Sequence, residues 1–239
     1  MAAYTHKEPS RDDEARLLVS WLAQQSGTLA IVGPARANLE RSAVAKALVA
    51  RGVRYHGEKG LSVSSLIHGT GPVKVLLLWP TSQFLRKVGD SDGLSALAVL
   101  TWNLKDVETW RRATQAVDLL ASSSSPVEPT LSPAVVGMLI SLTNSVNLSS
   151  GLSHPLDWDS AVLGFQRLRA SGHAIPPGTE LEIWATSHGW YARAAHELGE
   201  LADAISAGRT KRLKGGSRPY GPEIVDYWIE QSTGREDPL

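Results

Sequence analysis

The chain has no cysteine, and only two Phe and two Met among its 239 residues. That absence excludes disulfides, thiolate metal sites and cysteine nucleophiles outright. Long apolar runs are missing too. The purest, Val75 to Trp79, is far shorter than the roughly 20 residues a membrane-spanning helix takes. Met1 to Glu8 hold no apolar stretch of the kind a secretory leader carries, so no leader is expected and a cytoplasmic location is. No charge of one sign dominates, because 24 Lys/Arg meet 24 Asp/Glu. Several catalytic signatures are likewise absent. GxGxxG, GxxxxGK[ST] and HExxH do not occur, and no GxSxG elbow leads from an expected strand into a helix.

What is present is ordinary globular material, 42% apolar and 20% charged, with eight Trp. The halves differ in charge. Residues 1–121 carry 15 Lys/Arg against 11 Asp/Glu, or +4, and residues 122–239 carry 9 against 13, or −4. In the first half, apolar strands alternate with amphipathic helices. Ser10 is placed to cap a helix with Leu17, Leu18, Trp21 and Leu22 inward and Gly27 as its stop. Strand Leu29–Val32 follows, and then a helix capped by Asn38 and closed by Gly52. Val53–His56 reads as a further strand, and Leu61–Ile67 as another short strand or a hairpin arm. Val73–Trp79 and Ala96–Trp102 are nearly continuous in apolar residues, as buried parallel strands are. Thr81 caps a short helix, and Asp106 caps one that buries Val107, Trp110, Val117 and Leu120. The fold class is α/β, a Rossmann-like and mainly parallel sheet domain followed by an all-α domain.

Ser122 to Pro126, with Pro129, reads as a linker. The expected division is an α/β domain over 1–121, a linker over 122–130 and a helical domain over 131–239. Ser132-Pro133 starts the first helix of the second part. Asp157 or Asp159 starts the next, stopped by Gly172. Thr179 and Glu182 have capping-box spacing for a third, and Gly189 separates it from Tyr191–Ala207. A last helix over Pro222–Gln231 has Ile224, Val225, Tyr227 and Trp228 on one face, which is expected to pack back on the protein.

Two places offer a binding chemistry. The first is the loop Val32-Gly-Pro-Ala-Arg-Ala-Asn38, where Gly33 permits close backbone approach and Arg36 and Asn38 suit a phosphate at a helix start. Ile31 to Arg36 resemble the opening of Rossmann-like nucleotide-binding proteins of the DNA-processing and lysine-decarboxylase-like group. In those an apolar strand leads into Gly-x-Arg; here Arg36 stands one residue later, and no second glycine-rich motif accompanies it. The resemblance implies a nucleotide ligand.

The second place is the helical pair. Ala185, Gly189, Ala195 and Leu198 have the spacing of a helix-turn-helix, which any glycine-turned helical hairpin also produces. It would present Trp190, Tyr191 and Arg193 to nucleic acid. Downstream lie Arg209, Lys211, Arg212, Lys214 and Arg218, with no acidic residue between them. Glu197, Glu200 and Asp203 would oppose DNA if they shared that face.

The seven histidines show no two-ligand spacing on one helical turn, and no metal site is expected. Gly89-Asp-Ser-Asp-Gly93 reads first as a turn. Three functions follow. The leading one is a non-enzymatic binding or regulatory protein whose helical half meets nucleic acid or a protein. The second is a nucleotide- or phosphate-binding protein or enzyme using Gly33, Arg36 and Asn38, with Asp90, Asp92 or His68. The third is a structural subunit docking through the face around Trp184 or Trp228. The cofactor is unknown from the sequence, a nucleotide ligand is compatible with it, and no membrane partner is expected.

Overall fold

Alternation of side chains along the strands builds the first of two units. A computed structural model describes residues 1–5, 11–58, 71–121 and 129–234, and contacts divide the chain into Met1–Val127 and Glu128–Leu239. The first unit holds strands β1 (Ala2–Thr5), β2 (Thr28–Gly33), β3 (Arg54–Gly57), β4 (Val73–Leu78), β5 (Leu94–Leu100) and β6 (Val117–Asp118). They form one sheet in the order β3-β2-β4-β5-β1-β6, with every pairing parallel. Helices α1 (Arg11–Ala23), α2 (Ala43–Ala50), α3 (Ser82–Gly89) and α4 (Leu104–Ala113) cover it. Val73, Val75 and Leu77 of β4 enter one core with Phe84, Leu85, Val107 and Trp110. Leu76 and Leu78 enter the other with Leu18, Leu22 and Ala45. A strand buried on both faces thus takes the period of two that the pleat dictates, and the fold is α/β.

The second unit is helical among its described residues: α5 (Pro133–Ser145), α6 (Pro155–Ala170), α7 (Gly178–Ser187), α8 (Ala192–Ser206) and α9 (Ile224–Thr233). Val135, Met138, Leu139 and Leu142 line the inner face of α5 at helical spacing. Helix α9 packs back on α5, burying Val225 and Trp228. Gly137 makes this approach possible, since a Cβ there would lie 2.7 Å from the Trp228 Cα.

Several local expectations are corrected. Asn38 does not cap α2. It lies in a 3-10 turn, Arg36–Arg41, and the cap is Ser42, whose hydroxyl accepts from the Ala45 N–H at 3.2 Å. Asn103 rather than Asp106 caps α4, which ends at Ala113, so Val117 and Leu120 lie beyond it and are exposed. His154 caps α6. The Thr179–Glu182 box does not form, because Asp203 of α8 reaches across and accepts from the Gly178 N–H at 2.7 Å. Leu17 faces solvent, and Ala15 takes its place inside. Strand β1 had no signal strong enough to be expected. Ser10, Leu61–Ile67, His68 and the Ser122–Pro126 linker fall outside the described residues.

Candidate functional site

In a parallel sheet, ligands gather at the carboxyl ends of strands where the chain order reverses. Here that point lies between β2 and β4, because the chain runs outward from β2 to β3 and then returns to β4. The loop after β2 is closed from within. The Tyr55 hydroxyl donates to the Ala35 carbonyl at 2.8 Å, and a Cβ on Gly33 would sit 2.8 Å from the Tyr55 hydroxyl oxygen. Burial pushes the Tyr55 phenol above its ordinary pKa, partly offset by Arg36. Arg36 is exposed and Asn38 half-buried. They do not stand at the start of α2. Asp12 stands there, its carboxylate accepting from the Ser42 hydroxyl at 3.2 Å and lying 3.5 Å from the Val44 N–H. The positive end of α2 therefore already faces a carboxylate of the protein's own.

The next strand ends carry an aromatic pair that sequence reading passed over. Trp79, just past β4, has φ +47° and is 4% exposed. It stacks on Trp102, just past β5, with ring centroids 5.5 Å apart and planes 16° apart. Trp102 is 48% exposed. Asp90 and Asp92 lie before β5, at the opposite edge of the sheet, about 20 Å from Gly33 by strand length. Gly89 to Gly93 do match the GxSxG letters, but they turn from a helix into a strand, the reverse of a nucleophile elbow, and Ser91 is buried.

In the helical unit the turn between α7 and α8 forms at Gly189, with φ +89°. The Gly189 and Trp190 N–H groups close back on the Thr186 and Ala185 carbonyls. Trp190 is not a surface residue. It is 3% exposed, and its indole N–H donates to the Thr143 hydroxyl at 2.9 Å, which withdraws it from nucleic-acid contact. Tyr191 is half-buried and Arg193 exposed. The rest of α8's outer face is acidic, with Glu200 and Asp203 exposed. The His196 ring Nδ1 donates to the carboxylate of buried Glu182 at 2.9 Å rather than meeting His188, which stacks on Trp184 at 3.7 Å. Trp184 and Trp228 are buried, so neither offers the docking face expected of a structural subunit. Among the described residues no group of three or more His, Asp or Glu is placed to hold a metal.

The basic stretch is the best-built feature. Asp159 of α6 is fully buried and accepts from the Lys214, Gly215 and Ser217 N–H groups at 2.6, 2.9 and 3.1 Å. Burial alone would raise its pKa. The bonds from Lys214, Ser217 and Gly215 outweigh that and leave it below the usual carboxylate value. Trp158 adds two ties, its indole N–H donating to the Arg212 carbonyl at 3.0 Å and its ring lying 3.9 Å beneath the Lys214 ammonium. Arg209, Arg212, Lys214 and Arg218 remain exposed, and Lys211 half-buried. Beside this ridge a groove of about 390 Å³ is lined by Gln166, Arg169, Ile205, Arg209 and Thr210. Sequence reading found the cations and missed their anchor, since Asp159 lies 55 positions from Lys214 and carried no motif.

Among the described residues no helix is long and apolar enough to cross a membrane. A family model described as a domain of unknown function, DUF1889, matches residues 131–229, which run from the start of the helical unit into α9 and take in the ridge. No curated protein and no solved structure matches the chain.

Proposed function

We propose that this chain is a non-enzymatic binding protein whose helical unit holds nucleic acid along the ridge formed by residues 209–218. One observation carries the reading. The ridge backbone is pinned to a buried carboxylate while four cationic side chains stand in solvent. A flexible basic tail would lose conformational freedom on binding, whereas a ridge already held in place loses less. The adjoining groove adds Arg169 and contains no carboxylate among its lining residues.

The contact is to phosphate rather than to bases. Helix α8 presents Glu200 and Asp203 outward and keeps Trp190 inside, so it is a poor reader of a groove. Phosphate contacts position a protein without carrying sequence information. Binding is therefore expected to be strongly salt-dependent and only weakly selective in sequence. Fluorescence anisotropy with labelled duplex and single-stranded DNA and RNA at two salt concentrations tests this. The R212E/K214E variant is expected to lose binding that the wild type shows at low salt. Absence of wild-type binding at low salt would overturn the proposal.

A further inference from the structure

We infer that the groove where α6 and α8 end seats a phosphate monoester, either the terminal phosphate of a strand held along the ridge or that of a free nucleotide. The inference rests on the ridge reading for the strand as a source, and on the groove's own donors for the phosphate itself. The groove holds about 390 Å³ and is lined by the last turn of α6, the end of α8 and the first two residues of the ridge. That volume lies within the range of small-ligand sites.

The donors are oriented and accessible. Arg169, in the last turn of α6, donates through Nη1 to the Ile205 carbonyl at 3.0 Å. A guanidinium carries its N–H donors in a rigid fork, so this one bond fixes the plane and leaves the others for a ligand. Gly208, with φ +80°, leaves Nη2 uncovered where a Cβ would lie 3.9 Å from it. Arg209, Thr210 and Gln166 add a second guanidinium, a hydroxyl and an amide, all exposed, and no carboxylate lines the groove. Two helices end here, and a helix end repels an anion where its carbonyls are free. These carbonyls are taken. Those of Arg167, Leu168 and Arg169 accept from Ser171, His173 and Gly172, and those of Asp203, Ala204 and Ile205 accept from Ala207, Arg209 and Gly208.

Charge selects the ligand class. An internal phosphodiester carries a single negative charge, whereas a monoester carries about −1.5 to −2 at pH 7 and strong acceptor oxygens at its free end. Two guanidinium groups at one groove, one of them held in plane, favour the denser charge, and their fork geometry pairs N–H groups with two oxygens of one phosphate. The remaining ridge cations, Arg212, Lys214 and Arg218, are spread along the chain and suit successive diesters.

Fluorescence anisotropy on the full chain at low salt, with one oligonucleotide carrying a 5′-phosphate, a 3′-phosphate or hydroxyls at both ends, tests this beside calorimetry with adenosine 5′-monophosphate. A strand end in the groove predicts that one phosphorylated form binds about tenfold or more tighter than the hydroxyl form, the effect of hydrogen bonds to a charged group. A free nucleotide predicts saturable binding of the monophosphate instead. Q166E sets a carboxylate beside Arg169 at an exposed position of α6 and leaves the ridge residues in place. It is expected to abolish either effect, and a thermal melt establishes that it folds. Equal binding of all oligonucleotide forms with no monophosphate binding would overturn the inference and leave the ridge reading standing. Monophosphate binding without oligonucleotide binding would support the groove and overturn the ridge. Failure of the wild type to bind any of them would overturn both, and a Q166E protein that keeps the wild-type preference would overturn the inference.

Discussion

Replacing Gly137 with Ala adds one methyl group at the closest helix contact of the second unit. The new Cβ would lie 2.7 Å from the Trp228 Cα and nearer still to its carbonyl, where real Cβ contacts below 3.0 Å are essentially never seen. The obstacle is backbone, so no side-chain rotation relieves it, and α9 must move. Overpacking a core costs about 1–3 kcal/mol, occasionally more. Complete undocking sets the other bound, because it exposes Trp228 and Val225, 1% and 4% exposed in place. At about 1.5–3 kcal/mol for each buried side chain, that is about 3–6 kcal/mol. Helix propensity returns about 1 kcal/mol for Gly to Ala. The net loss is therefore about 0–2 kcal/mol if overpacking alone is relieved and about 2–5 kcal/mol if α9 undocks; because the obstacle is backbone, the undocking figure is the one expected, and in a unit of this size it lowers Tm by about 8 °C or more.

Gly164 provides the comparison within the same unit. A Cβ there meets the Met138 Sδ at 3.1 Å and Cγ at 3.2 Å, the far end of a flexible side chain. G164A is expected to stay within about 1 kcal/mol of the wild type, since the gain in helix propensity offsets a small repacking. Urea unfolding followed by far-UV circular dichroism on the full chain measures both. A G137A protein as stable as the wild type, or no less stable than G164A, would refute the close packing of α5 on α9.

Further expectations concern the ridge and one strained turn. D159N removes the charge that three N–H groups share, so amide exchange at Lys214, Gly215 and Ser217 is expected to quicken about tenfold or more, the effect of losing a hydrogen bond to a charged group; unchanged exchange would show that the ridge is held by something else. Because the folded pKa of Asp159 lies below its ordinary 3.8, its stabilisation is present above that pH and disappears as pH falls through the lowered value. Acid titration of the wild type is therefore expected to lose the ridge's amide protection only below about pH 4. Gln115, with φ +50° in the turn before β6, strains the backbone where Gly would not. Q115G is expected to range from neutral to about 1 kcal/mol more stable, since relief of about 1–2 kcal/mol is partly offset by Gly entropy; a clear loss in the thermal melt would contradict it.

The legible part of the fold was what repeats locally. Val73 to Leu78 announce a twice-buried strand because every position but Lys74 is apolar, and Gly52 and Gly189 announce helix ends because the turn there needs a positive φ. Caps were less legible. Asn38 and Ser42 are both good N-caps by type, and the choice fell to Ser42 through Asp12, a contact made across 30 positions. Thr179 and Glu182 had a local box available, but Asp203 and His196 on another helix took their places. Of the candidate site residues, the exposed arginines and lysines of 209–218 were readable as charge. Trp190 was not readable as core, since a Trp at a helix start suits either a surface or a buried role until the packing of α5 is known. Trp79 and Trp102 were assigned to strands, and their stack depends on two strand ends meeting.

The proposed function stands or falls on the salt dependence of duplex binding, compared between the wild type and R212E/K214E. Four exposed cations on the ridge predict that log K falls against log salt with a slope of about −3 to −4. The variant is expected to bind far more weakly and with a shallower slope, having lost two of those contacts. A wild type that does not bind at low salt, or a variant whose affinity and slope match it, would contradict the account.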